Sequence, residues 1–152
     1  MAKPDATEAE MEEVLVKVNL LGFLQTQDGL QTKLLEKAGN LSGGQCQRLA
    51  IARALLRDSA VYIFDEAASN IDVESENEIM EQIHRLAEQR KTVILISHRL
   101  ANVCKTDRIY VMQDKTVVES GTHAELLHRQ GVYSQLWSAQ QELEQFVGGK
   151  AE

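Results

Sequence analysis

Three short groups of residues have the types and spacing that chemistry on phosphate groups needs. Ser42-Gly43-Gly44-Gln45 stands at the head of a segment of helical character. A hydroxyl, two bare backbones and the unpaired N–H groups of a helix's first turn make an anion-binding end. By itself the tetrapeptide is equally an ordinary capped helix start whose glycines only permit close packing. Its surroundings favour the first reading, because sixteen residues after Gln45 an apolar run, Val61-Tyr62-Ile63-Phe64, begins and leads into Asp65-Glu66. That places two carboxylates at the C-terminal end of a parallel strand, where open α/β folds bind their ligands. Adjacent residues at a strand end point in different directions, so one acid, Asp65, can serve a hydrated Mg²⁺ while Glu66 aims at a nucleophilic water. The third group, Ile96-Ser97-His98, closes the next apolar run, which puts His98 on the same expected sheet edge. There its imidazole can donate a hydrogen bond to a terminal phosphate oxygen. His84, His123 and His128 fall on a helix surface or near caps and read as structural.

These residues need elements to hold them. Thr7 and Glu10 have capping-box spacing, and Met11, Val14, Leu15 and Val18 follow at helical intervals, predicting a helix over about 8–20. Five acids between Asp5 and Glu13 load its start, which suits the positive end of a helix dipole and implies no chemistry. Residues 25–40 carry Gly29, Gly39 and many polar side chains and read as loop with a short helical piece. From Gln45 to Arg57 only Arg48, Arg53 and Arg57 interrupt an apolar surface, so this helix is expected to be largely buried. The runs 61–64 and 92–96 are continuous and β-favouring, as in parallel strands covered on both faces, and Ile79, Met80, Ile83, Leu86 and Ala87 mark a helix of about four turns between them. Strand, helix, strand is a βαβ unit. Residues 108–113 and 116–120, separated by Asp114-Lys115, predict an antiparallel hairpin. Thr122 can then cap a short helix through Leu127, Gly131 introduces a last helix with Val132, Tyr133, Leu136 and Trp137, and the tail from Gly148 is expected to fray.

Composition narrows the function classes. The chain has 152 residues, 43% of them apolar and 26% charged, ordinary values for a globular domain. Sixteen basic against twenty-three acidic residues leave a net charge of −7, which argues against a broad surface for nucleic acid or anionic membrane. No apolar run approaches the roughly 20 residues of a membrane-spanning helix, so the segment itself is expected to be soluble. Two cysteines, Cys46 and Cys104, without CxxC spacing suggest neither a disulfide framework nor a zinc site, and fit a reducing, cytoplasmic compartment.

Taken together, the pieces resemble the ATP-binding-cassette (ABC) ATPase family. Leu41-Ser42-Gly43-Gly44-Gln45, continued by Gln47-Arg48-Leu49-Ala50-Ile51-Ala52-Arg53-Ala54-Leu55, matches its signature motif and signature helix. Residues 61–66 match its Walker B strand, 69–72 (Ser-Asn-Ile-Asp) its D-loop, and His98 its switch histidine. Gly121-Thr122-His123-Ala124-Glu125-Leu126-Leu127 followed by Gly131-Val132-Tyr133 looks like the end of exporter-type cassettes, so the resemblance covers roughly residues 5–147. It implies an α/β fold, a P-loop NTPase-like parallel sheet with flanking helices, partial because the Walker A strand and loop are missing, plus part of the ABC helical subdomain. On that pattern residues 1–57 are the helical part ending in the signature helix, 58–147 the C-terminal part of the RecA-like ATPase core, and 148–152 a tail. The implied cofactors are ATP and Mg²⁺. Glu66 then polarises the attacking water, Asp65 serves the Mg²⁺, and His98 senses the γ-phosphate. Ser42, Gly43, Gly44 and Gln45 contact the ATP of the opposite subunit, and Asp72 communicates across that interface. The implied partners are a second nucleotide-binding domain and the transmembrane domains of an exporter, at the cytoplasmic face of the cell membrane.

One departure outweighs the matches. No G-x-x-x-x-G-K-[ST] occurs in the chain, so the backbone cradle and lysine for the β- and γ-phosphates are absent from it. The sheet should accordingly show an exposed edge and an uncovered apolar face beside the strand that leads to His98. Two rival readings follow from the same omission. In one the chain is a non-catalytic module lending its signature to a complete partner. In the other it is the head of a chromosome-maintenance or DNA-repair ATPase, against which stand the acidic charge and the lack of a heptad-rich coiled coil.

Overall fold

The computed structural model describes residues 3–67 and 73–148. The chain divides into two compact units, Met1–Ile96 and Ser97–Glu152, each with its own core.

The first unit opens with α1 (Glu8–Lys17), whose Thr7–Glu10 capping box forms as expected. Asn19 then takes a left-handed conformation (φ 50°) and the chain turns into α2 (Leu21–Gln25), so the helix predicted to reach residue 20 breaks one turn early. Two short 3₁₀ turns, Gly29–Gln31 and Glu36–Ala38, occupy the predicted loop before α3 (Gly43–Arg57). β1 (Val61–Asp65), α4 (Val73–Glu88) and β2 (Thr92–Ile96) complete the unit. β1 and β2 pair in parallel, Val61 opposite Thr92 through Asp65 opposite Ile96, which is the βαβ arrangement that the two apolar runs predict.

Its core joins α1, α3, α4 and the sheet: Val14, Leu15, Val18, Ile51, Ala52, Tyr62, Phe64, Ile79, Met80, Ile83 and Leu86 are buried together. The Tyr62 and Phe64 rings, two residues apart on one strand face, stack with centroids 6.1 Å apart. Two expectations fail here. The strands are covered on one face, not two, since Val61, Ile63, Ile94 and Ile96 remain between 46% and 66% exposed. A continuous apolar run states only that both faces are apolar; which one receives a neighbour depends on elements elsewhere in the chain. The uncovered apolar face expected beside β2 is thus present. Likewise α3 is only partly buried, with Gly44, Ile51 and Ala52 inside and Ala50 and Arg53 exposed. Alanines and arginine stems gave it an apolar look without a wide face for the core to cover.

The second unit holds the antiparallel hairpin β3 (Ile109–Gln113) and β4 (Thr116–Gly121), followed by α5 (His123–Arg129) and α6 (Val132–Gly148). Asp114 and Lys115, the two-residue connection, both have positive φ (49° and 66°), the geometry that suits the twist of a tight hairpin. Leu126 and Tyr133 are sealed against Ile109 and Val111. Thr122 caps α5 as predicted, and does so through a capping box with Glu125. The expected frayed tail lies mostly outside the described residues.

Candidate functional site

Ser42 sits at the N-cap of α3 with extended backbone (φ −68°, ψ 163°). Its Oγ accepts from the Gln45 N–H at 3.2 Å while the Ser42 N–H donates to Gln45 Oε1 at 2.8 Å. This reciprocal box satisfies the first and last donors of the turn and leaves the N–H groups of Gly43 and Gly44 without a preceding carbonyl to receive them. The helix therefore presents two adjacent donors at its positive end. Gly44 is buried. Gly43 is exposed, its φ is not positive, and a Cβ built on it would meet nothing within 4 Å. Neither the backbone nor the packing of the described residues requires glycine at 43.

At the end of β1, Asp65 lies on the exposed face of the strand and Glu66 just beyond it. The Glu66 N–H donates to the Ile96 carbonyl at 3.0 Å, carrying the ladder one residue past the strand. Glu66 then adopts a left-handed conformation, φ 50°, which a non-glycine residue pays for with about 1 kcal/mol of strain. Asp65 and Glu66 are both oxygen donors, and no group of three or more His, Cys, Asp or Glu able to hold a metal occurs among the described residues. That donor set suits Mg²⁺, which is bound through one or two carboxylates together with water and substrate phosphates, and does not suit a metal caged by protein alone.

His98 follows the last residue of β2 by two positions, is exposed, and belongs to the second unit. Asp72 lies outside the described residues, as does the rest of the D-loop tetrapeptide. The first unit thus holds Ser42, Gly43, Gly44, Gln45, Asp65 and Glu66, with the signature turn at a helix N-terminus and the acids at the C-terminal edge of the parallel pair. His123, read as structural, donates to or accepts from the Tyr133 hydroxyl through Nδ1 at 2.8 Å and packs edge-on against Trp137. Sequence reasoning missed Arg48, taken only as a polar point on α3. Its one signal was a cation on an otherwise apolar helix, six residues after Ser42.

Comparison with known proteins agrees with this geometry. Residues 3–69 match the family model described as ABC transporter. An ABC transporter ATP-binding protein of Haemophilus influenzae is 50% identical over 145 residues, 95% of this chain and 26% of that protein. ATP-dependent lipid A-core flippase 1 of Colwellia psychrerythraea is 45% identical over 139 residues, 91% of this chain and 23% of the flippase. A solved bacterial Atm1-family ABC exporter with ATP bound superposes with a TM-score of 0.84 at 32% identity, covering 91% of this chain and 24% of the exporter. The chain belongs to the ABC transporter ATP-binding family. It is part of an exporter-type ATP-binding domain and spans about a quarter of the length of the relatives it matches. Membership implies the use of ATP, and the exporter relatives imply paired ATP-binding domains working with transmembrane domains in the family. No helix among the described residues is long and apolar enough to cross a membrane.

Proposed function

We propose that this chain supplies the signature turn and the Walker B acids to an ATP sandwich between two ATP-binding domains, whose closure drives export through attached transmembrane domains at the cytoplasmic face of the cell membrane. On this reading residues 1–57 belong to the helical subdomain and 58–147 to the ATPase core. The observation that carries it is the α3 N-terminus: Ser42 and Gln45 cap each other, the first-turn N–H groups of Gly43 and Gly44 have no preceding helical carbonyl, and a Cβ added at the exposed Gly43 would meet nothing within 4 Å. Such a turn receives a terminal phosphate held by the opposite domain, and it gains partners only when nucleotide is present, so closure depends on ATP.

Each remaining residue has a task defined by its chemistry. Bound Mg²⁺ supplies charge neutralisation on the phosphate oxygens, with Asp65 as its protein partner through water. Glu66, turned off the end of β1, accepts a hydrogen bond from the attacking water and aligns it. His98 donates to a γ-phosphate oxygen, and Asp72 links the two nucleotide sites across the interface. Because the chain has no Walker A sequence, it neither binds nor hydrolyses ATP by itself.

The test is ATP turnover by the purified chain alone, and by the chain mixed with a complete ATP-binding domain of the Haemophilus relative whose own signature glycine is replaced by aspartate. Silence alone and turnover restored in the mixture support the reading. Turnover by the chain alone overturns the role given to the missing loop, and no restoration overturns signature donation.

A further inference from the structure

α3 is held to the first unit by few fully buried apolar residues, Ile51 and Ala52, both in its second half. Its first half is held, besides partly buried Leu49, by a cluster of polar contacts in which Arg48 Nε and Glu78 Oε2 are buried without a hydrogen bond among the described residues. The Arg48 guanidinium donates through Nη1 to the Asn19 carbonyl at 3.0 Å and through Nη2 to Ser75 Oγ at 2.9 Å. The same Nη2 lies 2.6 Å from Glu78 Oε2, and the other Glu78 oxygen accepts from Asn19 Nδ2 at 2.8 Å. Asn19 is the left-handed residue between α1 and α2, while Ser75 and Glu78 stand one turn apart on the first half of α4. α3, α4 and the turn between α1 and α2 therefore meet at one side chain that is only 14% exposed.

We propose that Arg48 is the positioning residue of the signature turn, fixing the first half of α3 against the start of α4 so that the Gly43 and Gly44 donors meet the phosphate of the opposite domain in register. The inference rests on the function proposed above and deepens it. Arg48 sits five residues after Gly43 in the same helix, about 7.5 Å along the axis at 1.5 Å per residue, so a rotation of α3 allowed at Arg48 carries directly to the turn. A planar fork that bonds two helices at once resists such rotation in a way that a single ammonium cannot. The partner helix, α4, begins at Val73, the residue that follows the D-loop tetrapeptide in sequence. The cluster thus ties the turn that serves the opposite nucleotide to the segment that serves the chain's own, with Asn19 as the third anchor.

The test compares wild type with Arg48→Met, Arg48→Lys and Ser75→Ala in the whole chain, by amide hydrogen exchange and by turnover in the mixture described above. Arg48→Met is expected to speed exchange in the first two turns of α3 and of α4 while leaving β1 and β2 unchanged, with Arg48→Lys intermediate and Ser75→Ala a milder copy. Turnover in the mixture falls about tenfold at unchanged KM for ATP, because geometry is lost at the turn and affinity resides in the other domain's loop. Exchange that rises evenly through the whole first unit, or does not rise, overturns the positioning role. So does a KM change with kcat intact. If wild type itself fails to restore turnover, signature donation is what falls, and the exchange pattern still decides whether Arg48 positions α3. Should Arg48→Met not fold, the Lys and Ser75→Ala variants carry the same comparison.

Discussion

Gly43 and Glu66 are residues whose type the described fold does not itself require. At Gly43 the chain leaves open space where any Cβ would fit. Gly43→Asp places a negative charge in the first turn of α3, which the helix dipole favours by about 0.3–1 kcal/mol, and points it at the incoming phosphate. Thermal unfolding of the variant is expected at or above the wild-type midpoint, while turnover in the mixed assay is lost. A purely structural glycine would give the opposite pattern. At Glu66 the left-handed backbone is a cost that the sheet edge tolerates. Replacing Glu66 by Gly removes both carboxylate and strain, replacing it by Ala removes the carboxylate alone, and the Gly variant should be more stable by about 1 kcal/mol in urea unfolding.

At the scale of elements, helix starts are where the second unit and α1 are secured. Glu119 of β4 reaches the first turn of α6, its Oε2 accepting from the Tyr133 N–H at 2.8 Å, and a Cβ on Gly131 would stand 1.7 Å from Glu119 Oε1. Gly131→Ala displaces the end of the flexible Glu119 side chain and weakens its bond from the Tyr133 N–H, at a cost of up to about 1 kcal/mol, read as a lower unfolding midpoint. α1 is secured by charge. The Glu10 carboxyl is held down to about 2 from its ordinary 4.5, first by the hydrogen bond from Lys3 and then by the Thr7 N–H and hydroxyl. A carboxyl whose folded value lies below its unfolded one stabilises the fold fully above the unfolded value, and the contribution fades as pH falls through the folded one. Asp58, lowered by Lys91, acts in the same direction. Urea midpoints measured between pH 4.5 and 2 should therefore fall less in Glu10→Gln than in wild type. Added salt should shrink the difference, since the pair is open to solvent.

Among the described residues, apolar side chains stand exposed on both sheets. Val61, Ile63, Ile94 and Ile96 form an exposed band on the β1–β2 sheet, and Tyr110, Met112, Val117 and Val118 are exposed along the β3–β4 hairpin. Exposed apolar faces on short sheets with open edges promote association. Ile63, 66% exposed, is expected to accept Lys with stability changed by no more than about 0.5 kcal/mol, while light scattering shows less self-association.

Much of this was legible in the residues before any coordinates. The Thr7 box, the helix starts at Ser42 and Thr122 and the hairpin depend on interactions within a few positions, and local pattern reports such interactions faithfully, while the βαβ order follows from the sequence of apolar runs. The ABC signature and the Asp65-Glu66 pair at the strand end were likewise readable, because each is a contiguous run of particular residue types. What the tertiary structure alone decided was which apolar surface is covered and which is left open, and that Arg48 meets Asn19, Ser75 and Glu78. Those outcomes turn on partners 27 to 59 positions away in sequence. No periodicity records them, because packing and long-range hydrogen bonding are set by how elements meet, which residue spacing within one element does not encode.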